Sequence, residues 1–247
     1  KGDEFKVLYQ PQVNVESGKL MGVEALARWN SPRLGPISPV KFIALAEDIG
    51  VIHELGSFVF RKACEDILSI SPNGPEAMGV SINISPKQLM EPSFPETLVA
   101  ITQEVGIDIS RVILEITENV LLEDLDTVAE RLNSMKSFGF GLSLDDFGTG
   151  YSSLSYLNTL PITEIKIDRS FIEKLLISEQ TKTLVKAIIA IGESCQMTVV
   201  AEGVETMEQY NELAEYGCNA VQGYYFAPPL TIDSIGELLC SKLQSGS

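Results

Sequence analysis

The chain has 247 residues, 45% of them hydrophobic and 21% charged, which supplies ample apolar material for one α/β domain of ordinary size. Its net charge of −16, from 34 Asp and Glu against 18 Lys and Arg, repels a nucleic-acid backbone and argues against a nucleic-acid polymer as partner. No apolar run reaches the roughly 18 residues needed to span a membrane, so no membrane contact is expected within this domain.

Two alternating runs open the chain, Phe5 to Asn14 and Leu20 to Trp29, around a Glu16-Ser17-Gly18-Lys19 turn. They predict an antiparallel hairpin. Ser38 and Pro39 then suit the N-cap and first position of a helix, and apolar residues at 42, 43, 45, 46, 49 and 52 keep a helical period. From there helices and strands alternate. Helix 57–69 precedes strand 78–84, helix 93–105 precedes strand 111–116, and helix 124–138 precedes strand 140–145. A short helix near 151–157 precedes strand 163–167, and helix 178–196 precedes strand 197–201. Helix 206–216 leads to a short strand at 219–222, and helix 231–243 closes the chain.

Short apolar runs with little alternation suit strands buried on both faces. Repetition of about eight such units predicts a (β/α)8 barrel of the TIM type, modified by one antiparallel strand near the N-terminus. The rival, an open doubly wound sheet, calls for a Gly-x-Gly-x-x-Gly turn after its first strand, and none occurs. Residues 1–247 read as a single domain. Its start at Lys1, without an apolar leader core, suggests excision from a longer multidomain polypeptide.

Cys64, Cys195, Cys218 and Cys240 are scattered without paired spacing and read as reduced thiols in a cytoplasmic setting. His53 is the one histidine, which excludes multi-histidine metal sites and leaves a Ser-His-Asp mechanism without an evident partner.

Oxygen-bearing side chains stand where one apolar run after another ends. They are Glu24, Asn83, Glu115, Asp145 with Asp146, Asp168 and Glu202, and from Asn83 onward they are about twenty to thirty-five residues apart. A lone acid at a strand end is commonly a helix N-cap. Seven donors, with Glu115 set between Leu114 and Ile116, fit that reading poorly, because a buried unpaired carboxylate costs several kcal/mol or becomes neutral. Divalent cations remove the cost. Carboxylates and one amide favour Mg2+, Mn2+ or Ca2+ over structural zinc, and Asp145 and Asp146 are suited to serve two ions at about 3.5–4 Å, a clamp for displacement at phosphorus. Ca2+, with its looser geometry, is expected to inhibit.

Lys166 is the cation threaded among these acids. It is either a buried ion-pair partner or the group that positions the attacking water. Arg28 lies on the same strand face as Glu24 and could grip a phosphate. The segment Asp146 to Leu154 reads as either an ordinary βα loop or a movable lid.

The ordered set Val23-Glu24-Ala25-Leu26-Ala27-Arg28-Trp29, Ser81-Ile82-Asn83-Ile84-Ser85, Leu114-Glu115-Ile116-Thr117-Glu118 and Leu144-Asp145-Asp146-Phe147-Gly148-Thr149-Gly150-Tyr151-Ser152-Ser153-Leu154 resembles the EAL family of cyclic-di-GMP phosphodiesterases. The match continues through Ile165-Lys166-Ile167-Asp168, Ala201-Glu202-Gly203-Val204-Glu205 and Val221-Gln222-Gly223-Tyr224-Tyr225-Phe226. The resemblance implies hydrolysis of cyclic di-GMP to linear pGpG. It implies that Glu24, Asn83, Glu115 and Asp145 hold a first Mg2+ or Mn2+, and that Asp145, Asp146 and Asp168 hold a second. Lys166 would hold the nucleophilic water, and Glu202 would be a metal ligand or a general base. Gln10, Leu26, Arg28 and Gln222 would contact substrate, Glu118 would anchor the loop at 147–154, and Glu205 would support the site from behind. A homodimer and an upstream sensory or diguanylate-cyclase domain are further implications. The alternative is a silent module that binds cyclic di-GMP, or a protein partner, without cleaving it.

Overall fold

In the computed structural model, which describes residues 4–74, 76–122, 124–149, 157 and 159–243, eight strands close into a barrel. The hairpin forms as the alternation predicts, from β1 (Phe5–Asn14) and β2 (Leu20–Ser31), with Gln10 opposite Glu24. Beyond them lie β4 (Gly79–Asn83), β5 (Val112–Thr117), β6 (Gly141–Phe147), β7 (Glu164–Ile167), β8 (Thr198–Glu202) and β9 (Ala220–Gln222). β2 and β4 to β9 run parallel in sequence order, and β1 closes the barrel antiparallel to both β2 and β9. The expected reversed strand is therefore β1. The three-residue β3 (Gly35–Ile37) pairs only with the far end of β2, outside the barrel.

Helices fall where the 3.6-residue period places them: α1 (Pro39–Asp48), α2 (Ile52–Ile70), α4 (Phe94–Val105) and α5 (Leu125–Phe138). The rest are α7 (Glu179–Ser194), α8 (Met207–Glu215) and α9 (Ile232–Leu243). Ser178 and Thr206 cap the first two of these with their side chains, and Gly106, at φ 78°, ends α4 in the left-handed conformation that glycine adopts without steric cost. Two short helices escaped the sequence pattern, α3 (Pro86–Met90) and α6 (Arg169–Ile172), since one turn is too short to show a period. Most of the helix expected near 151–157 lies outside the described residues.

Strand residues alternate between two environments. Val80, Ile82, Leu114, Ile116, Leu142, Leu144, Ile165, Ile167, Val199 and Ala201 are buried between sheet and helices, each such side chain adding about 1.5–3 kcal/mol when fully removed from water. Their neighbours point into the barrel, and many are polar. Arg111 ties the N-terminal rim together, donating to the Met78 carbonyl at 3.0 Å, the Ser71 carbonyl at 2.7 Å and Asn73 Oδ1 at 2.7 Å. Tyr9 donates to Asp66 Oδ2 at 2.7 Å, joining β1 to α2.

Cys64, Cys195, Cys218 and Cys240 form no disulfide, and Cys64 and Cys218 are buried. His53 lies in α2, half-buried. No described helix is long and apolar enough to cross a membrane.

Candidate active site at the barrel mouth

Parallel registers carry the acids into one belt. Asn83 pairs with Glu115, Thr117 with Asp145, and Glu202 with Gln222. Asn83, Glu202 and Gln222 are the last residues of their strands, and Glu115, Asp145 and Lys166 are within three residues of theirs. Glu24 is different. It ends an apolar run but not its strand: β2 continues seven residues past it to Ser31, in keeping with the alternating run from Leu20 to Trp29, because its outer half pairs with β1 and β3. Glu24 joins the belt because it faces inward, opposite Gln10 and beside Ser81.

At the centre stands Lys166, with its side chain 0% exposed. Its Nζ lies 2.6 Å from Glu202 Oε1, 3.0 Å from Glu115 Oε1, 3.3 Å from Glu24 Oε2 and 3.6 Å from Asp145 Oδ1. Four carboxylates from four strands thus share one ammonium. Among the described residues no group of three or more Asp, Glu, His or Cys side chains is arranged to hold a metal ion. The sequence argument that crowded carboxylates demand divalent ions is therefore incomplete, since Lys166 supplies the resident positive charge.

That single charge does not balance the group. Burial would depress the Lys166 ammonium, but Glu115, Glu202, Glu24 and Asp145 outweigh it and hold it well above the usual lysine range. Burial pushes Glu24 up, yet Lys166 and the amides of Gln222 and Asn83 bring it below the ordinary carboxylate value. Asn83 Nδ2 donates to Glu24 Oε1 at 2.8 Å, and Gln222 Nε2 to Glu24 Oε2 at 2.5 Å. Glu115 has the Lys166 charge but no such amides. Burial first, then the Glu24 charge, drive it well above its normal value, and neither of its oxygens has a hydrogen-bond partner among the described residues. Glu202 rises to about 8 through burial, with Asp145 and Glu24 adding to it against Lys166. Buried polar atoms left unpartnered cost about 1–3 kcal/mol each. A set of oxygen donors with surplus negative charge fits hard divalent cations.

Asp145 and Asp146 both reach the mouth because β6 breaks register between Leu144 and Phe147. Such a bulge re-aims side chains at the cost of local strain, and Asp146 shows it with φ at 56°. The Asp146 amide donates to Asp145 Oδ1 at 3.0 Å. Burial, Asp145 and Asp168 push the Asp146 carboxyl upward. Asp168, just past β7, caps α6 by accepting from the Ser170 amide at 3.1 Å.

The remaining sequence-predicted residues surround this cluster. Gln10 is buried and donates to the Ala227 carbonyl at 2.5 Å. Leu26 and Arg28 are half-buried on β2, with Arg28 donating to the Ala27 carbonyl at 3.0 Å. Glu118 Oε2 accepts from the Gly148 amide at 3.1 Å, which ties the start of the loop after β6 to the end of β5; residues 150–156 lie outside the described set. Glu205 is not gathered into the cluster. It is 45% exposed and accepts from Arg169 at 3.0 Å, while Arg169 also binds Glu173 at 2.6 Å. Sequence reasoning passed over Arg169, whose one signal was its position directly after Asp168.

A family model for the EAL domain matches residues 1–229. The Oxygen sensor protein DosP of Escherichia coli (strain K12) is 40% identical over 241 residues, 98% of this chain but 30% of that protein. The Cyclic di-GMP phosphodiesterase NbdA of Pseudomonas aeruginosa is 38% identical over 239 residues, 97% of this chain and 30% of that protein. The chain thus spans about a third of the length of these curated relatives. Among solved structures, the PaMucR phosphodiesterase in its c-di-GMP complex superposes with a TM-score of 0.89 at 36% identity, covering 94% of each chain.

Proposed function

Since the chain belongs to the EAL domain family, we propose that it hydrolyses cyclic di-GMP at one phosphodiester bond to linear pGpG. The observation that carries this reading is the central Lys166 ammonium, within 3.6 Å of four carboxylates at the mouth of an intact barrel. The likeness to a phosphodiesterase solved with c-di-GMP supports the choice of substrate.

Glu24, Asn83, Glu115 and Asp145 would hold one Mg2+ or Mn2+, and Asp145, Asp146 and Asp168 a second. Bound there, the ions supply charge neutralisation for the dianionic substrate and acidity for water. Arg28 grips a substrate phosphate, with Gln10, Leu26 and Gln222 lining the nucleotide site. Lys166 orients the attacking water by donating to its oxygen. Glu202, 2.6 Å from Lys166 and raised by burial, is suited to accept the proton that water loses. The water oxygen then bonds to phosphorus, the bond from phosphorus to the ribose 3′ oxygen breaks, and that oxygen leaves as a hydroxyl after taking up a proton. No covalent protein intermediate is required.

Incubating the pure protein with cyclic di-GMP and Mg2+, and following pGpG by chromatography, tests this directly; no pGpG from folded, metal-loaded protein rejects it. One observation favours the second reading, a module that binds cyclic di-GMP without cleaving it: among the described residues no group of three or more Asp, Glu, His or Cys side chains is arranged to hold a metal ion, and Lys166 fills the centre of the cluster. Tight binding without product would select it.

A further inference from the structure

Beneath the belt of acids the barrel interior carries a second polar layer. Gln12, Ser81, Ser143 and Glu164 each sit two residues from a belt residue on the same strand (Gln10, Asn83, Asp145 and Lys166), so each faces inward one step deeper. All four are buried, at 2%, 0%, 0% and 3% exposure. Gln12 Nε2 and Ser81 Oγ have no hydrogen-bond partner among the described residues, and Ser143 Oγ and Glu164 Oε1 have none beyond the contact of the Ser143 hydroxyl with the Glu164 carboxylate.

Barrels of this type usually fill such a layer with Val, Ile and Leu. Here Ile113 and Val200 fill only the positions one step below Glu115 and Glu202, while Gly22 lies one step below Glu24 and Ala220 one step below Gln222. The strands adjoin as Gln12 beside Gly22 and Ser143 beside Glu164. A Cβ added at Gly22 would come within 3.2 Å of Gln12 Oε1, so the glycine makes room for that amide. Glu164 lies directly before Ile165 and Lys166, and no step of the proposed hydrolysis uses it. Buried donors and acceptors that find no protein partner are satisfied by water, each molecule making about three hydrogen bonds.

We propose that Gln12, Ser81, Ser143 and Glu164 line a sealed hydration site beneath Lys166, whose ordered waters bridge Glu164 to the ammonium and make Glu164 a positioning residue for it. The turnover arm of the test rests on the function proposed above; the water arm does not. Burial raises the Glu164 carboxyl, against the hydrogen bond from the Ser143 hydroxyl and the Lys166 charge.

Oxygen-17 relaxation dispersion on the whole chain detects long-lived internal water. Wild type and Glu164→Gln should both show it, and the double variant Ser143→Val with Glu164→Leu should lose it. In the same proteins kcat should fall about tenfold in the double variant at unchanged KM and stay near wild type in Glu164→Gln. Should the double variant not fold, Ser143→Ala carries the water arm, with a smaller loss expected. Unaltered dispersion in the folded apolar variant overturns the proposal. So does an anomalous rubidium peak at the site in soaked crystals, which would make it a monovalent-cation site, or an equal kcat loss in Glu164→Gln, which would assign the effect to charge alone. A wild type that retains long-lived water but has no turnover counts against the phosphodiesterase reading only.

Discussion

Lys166 Nζ and Glu202 Oε1 stand 2.6 Å apart on neighbouring parallel strands, the shortest of four contacts around one buried ammonium. The ammonium offsets part of the charge that would otherwise drive the acids apart, so it serves stability as well as chemistry.

Replacing it should expose both roles. Lys166→Met is expected to abolish turnover and, without metal, to cost about 3–5 kcal/mol, because breaking a buried pair leaves uncompensated charge. Added Mg2+ should recover much of that stability and none of the turnover. Urea unfolding with and without Mg2+, beside a turnover assay, decides it; equal stability of variant and wild type in chelator would refute the structural role.

The same crowding predicts a pH dependence. Glu202 titrates near 8 in the native protein against an ordinary 4.5, and Glu115 is also raised well above 4.5. The native state holds protons that the unfolded chain has released, so this contribution is complete below about pH 4.5 and is lost as pH climbs towards 8. Glu24, shifted downward, is already fully contributing above 4.5 and does not offset the loss. The urea midpoint of the metal-free protein should therefore fall between about pH 5 and pH 8, and saturating Mg2+ should flatten the slope. A midpoint constant over that range in chelator would contradict the shifts.

Glu118 holds the Gly148 amide next to Asp146. Glu118→Ala is expected to lower kcat about tenfold or more, as is usual when a supporting hydrogen bond behind a metal ligand is removed, while thermal stability changes by no more than about 1 kcal/mol. Steady-state kinetics and calorimetry on one preparation check both; an unchanged kcat would leave the loop contact without a role.

Arg111 makes its three hydrogen bonds at the opposite rim, far from the acids. Arg111→Ala should cost about 2–4 kcal/mol through unpartnered buried carbonyls, and kcat of the folded fraction should not move. A fall in kcat at full folding would show that the two rims are coupled.

Ca2+ in place of Mg2+ should suppress hydrolysis, because its flexible coordination does not hold the water at a fixed angle. Rates unchanged in Ca2+ would count against the cation-dependent reading.

The eight strands, the long helices and the belt of acids were legible in the chain alone, because alternation and the 3.6-residue period are written in neighbouring residues, and a closed parallel barrel leaves strand ends one mouth to share. Asn83, Glu115, Asp145 and Glu202 could be picked out because each interrupts or ends an apolar run. What followed from the folded barrel was the pairing across strands. The mid-strand placement of Glu24 depends on how far β2 outruns its partners, the paired Asp at 145 and 146 on a slipped register, and the choice of Lys166 as hub on distances between strands far apart in sequence. The inner polar layer was hidden for the same reason. Ser81 and Ser143 look like ordinary strand residues until closure points them, with Gln12 and Glu164, into the barrel interior, and burial makes each unmet hydrogen bond costly.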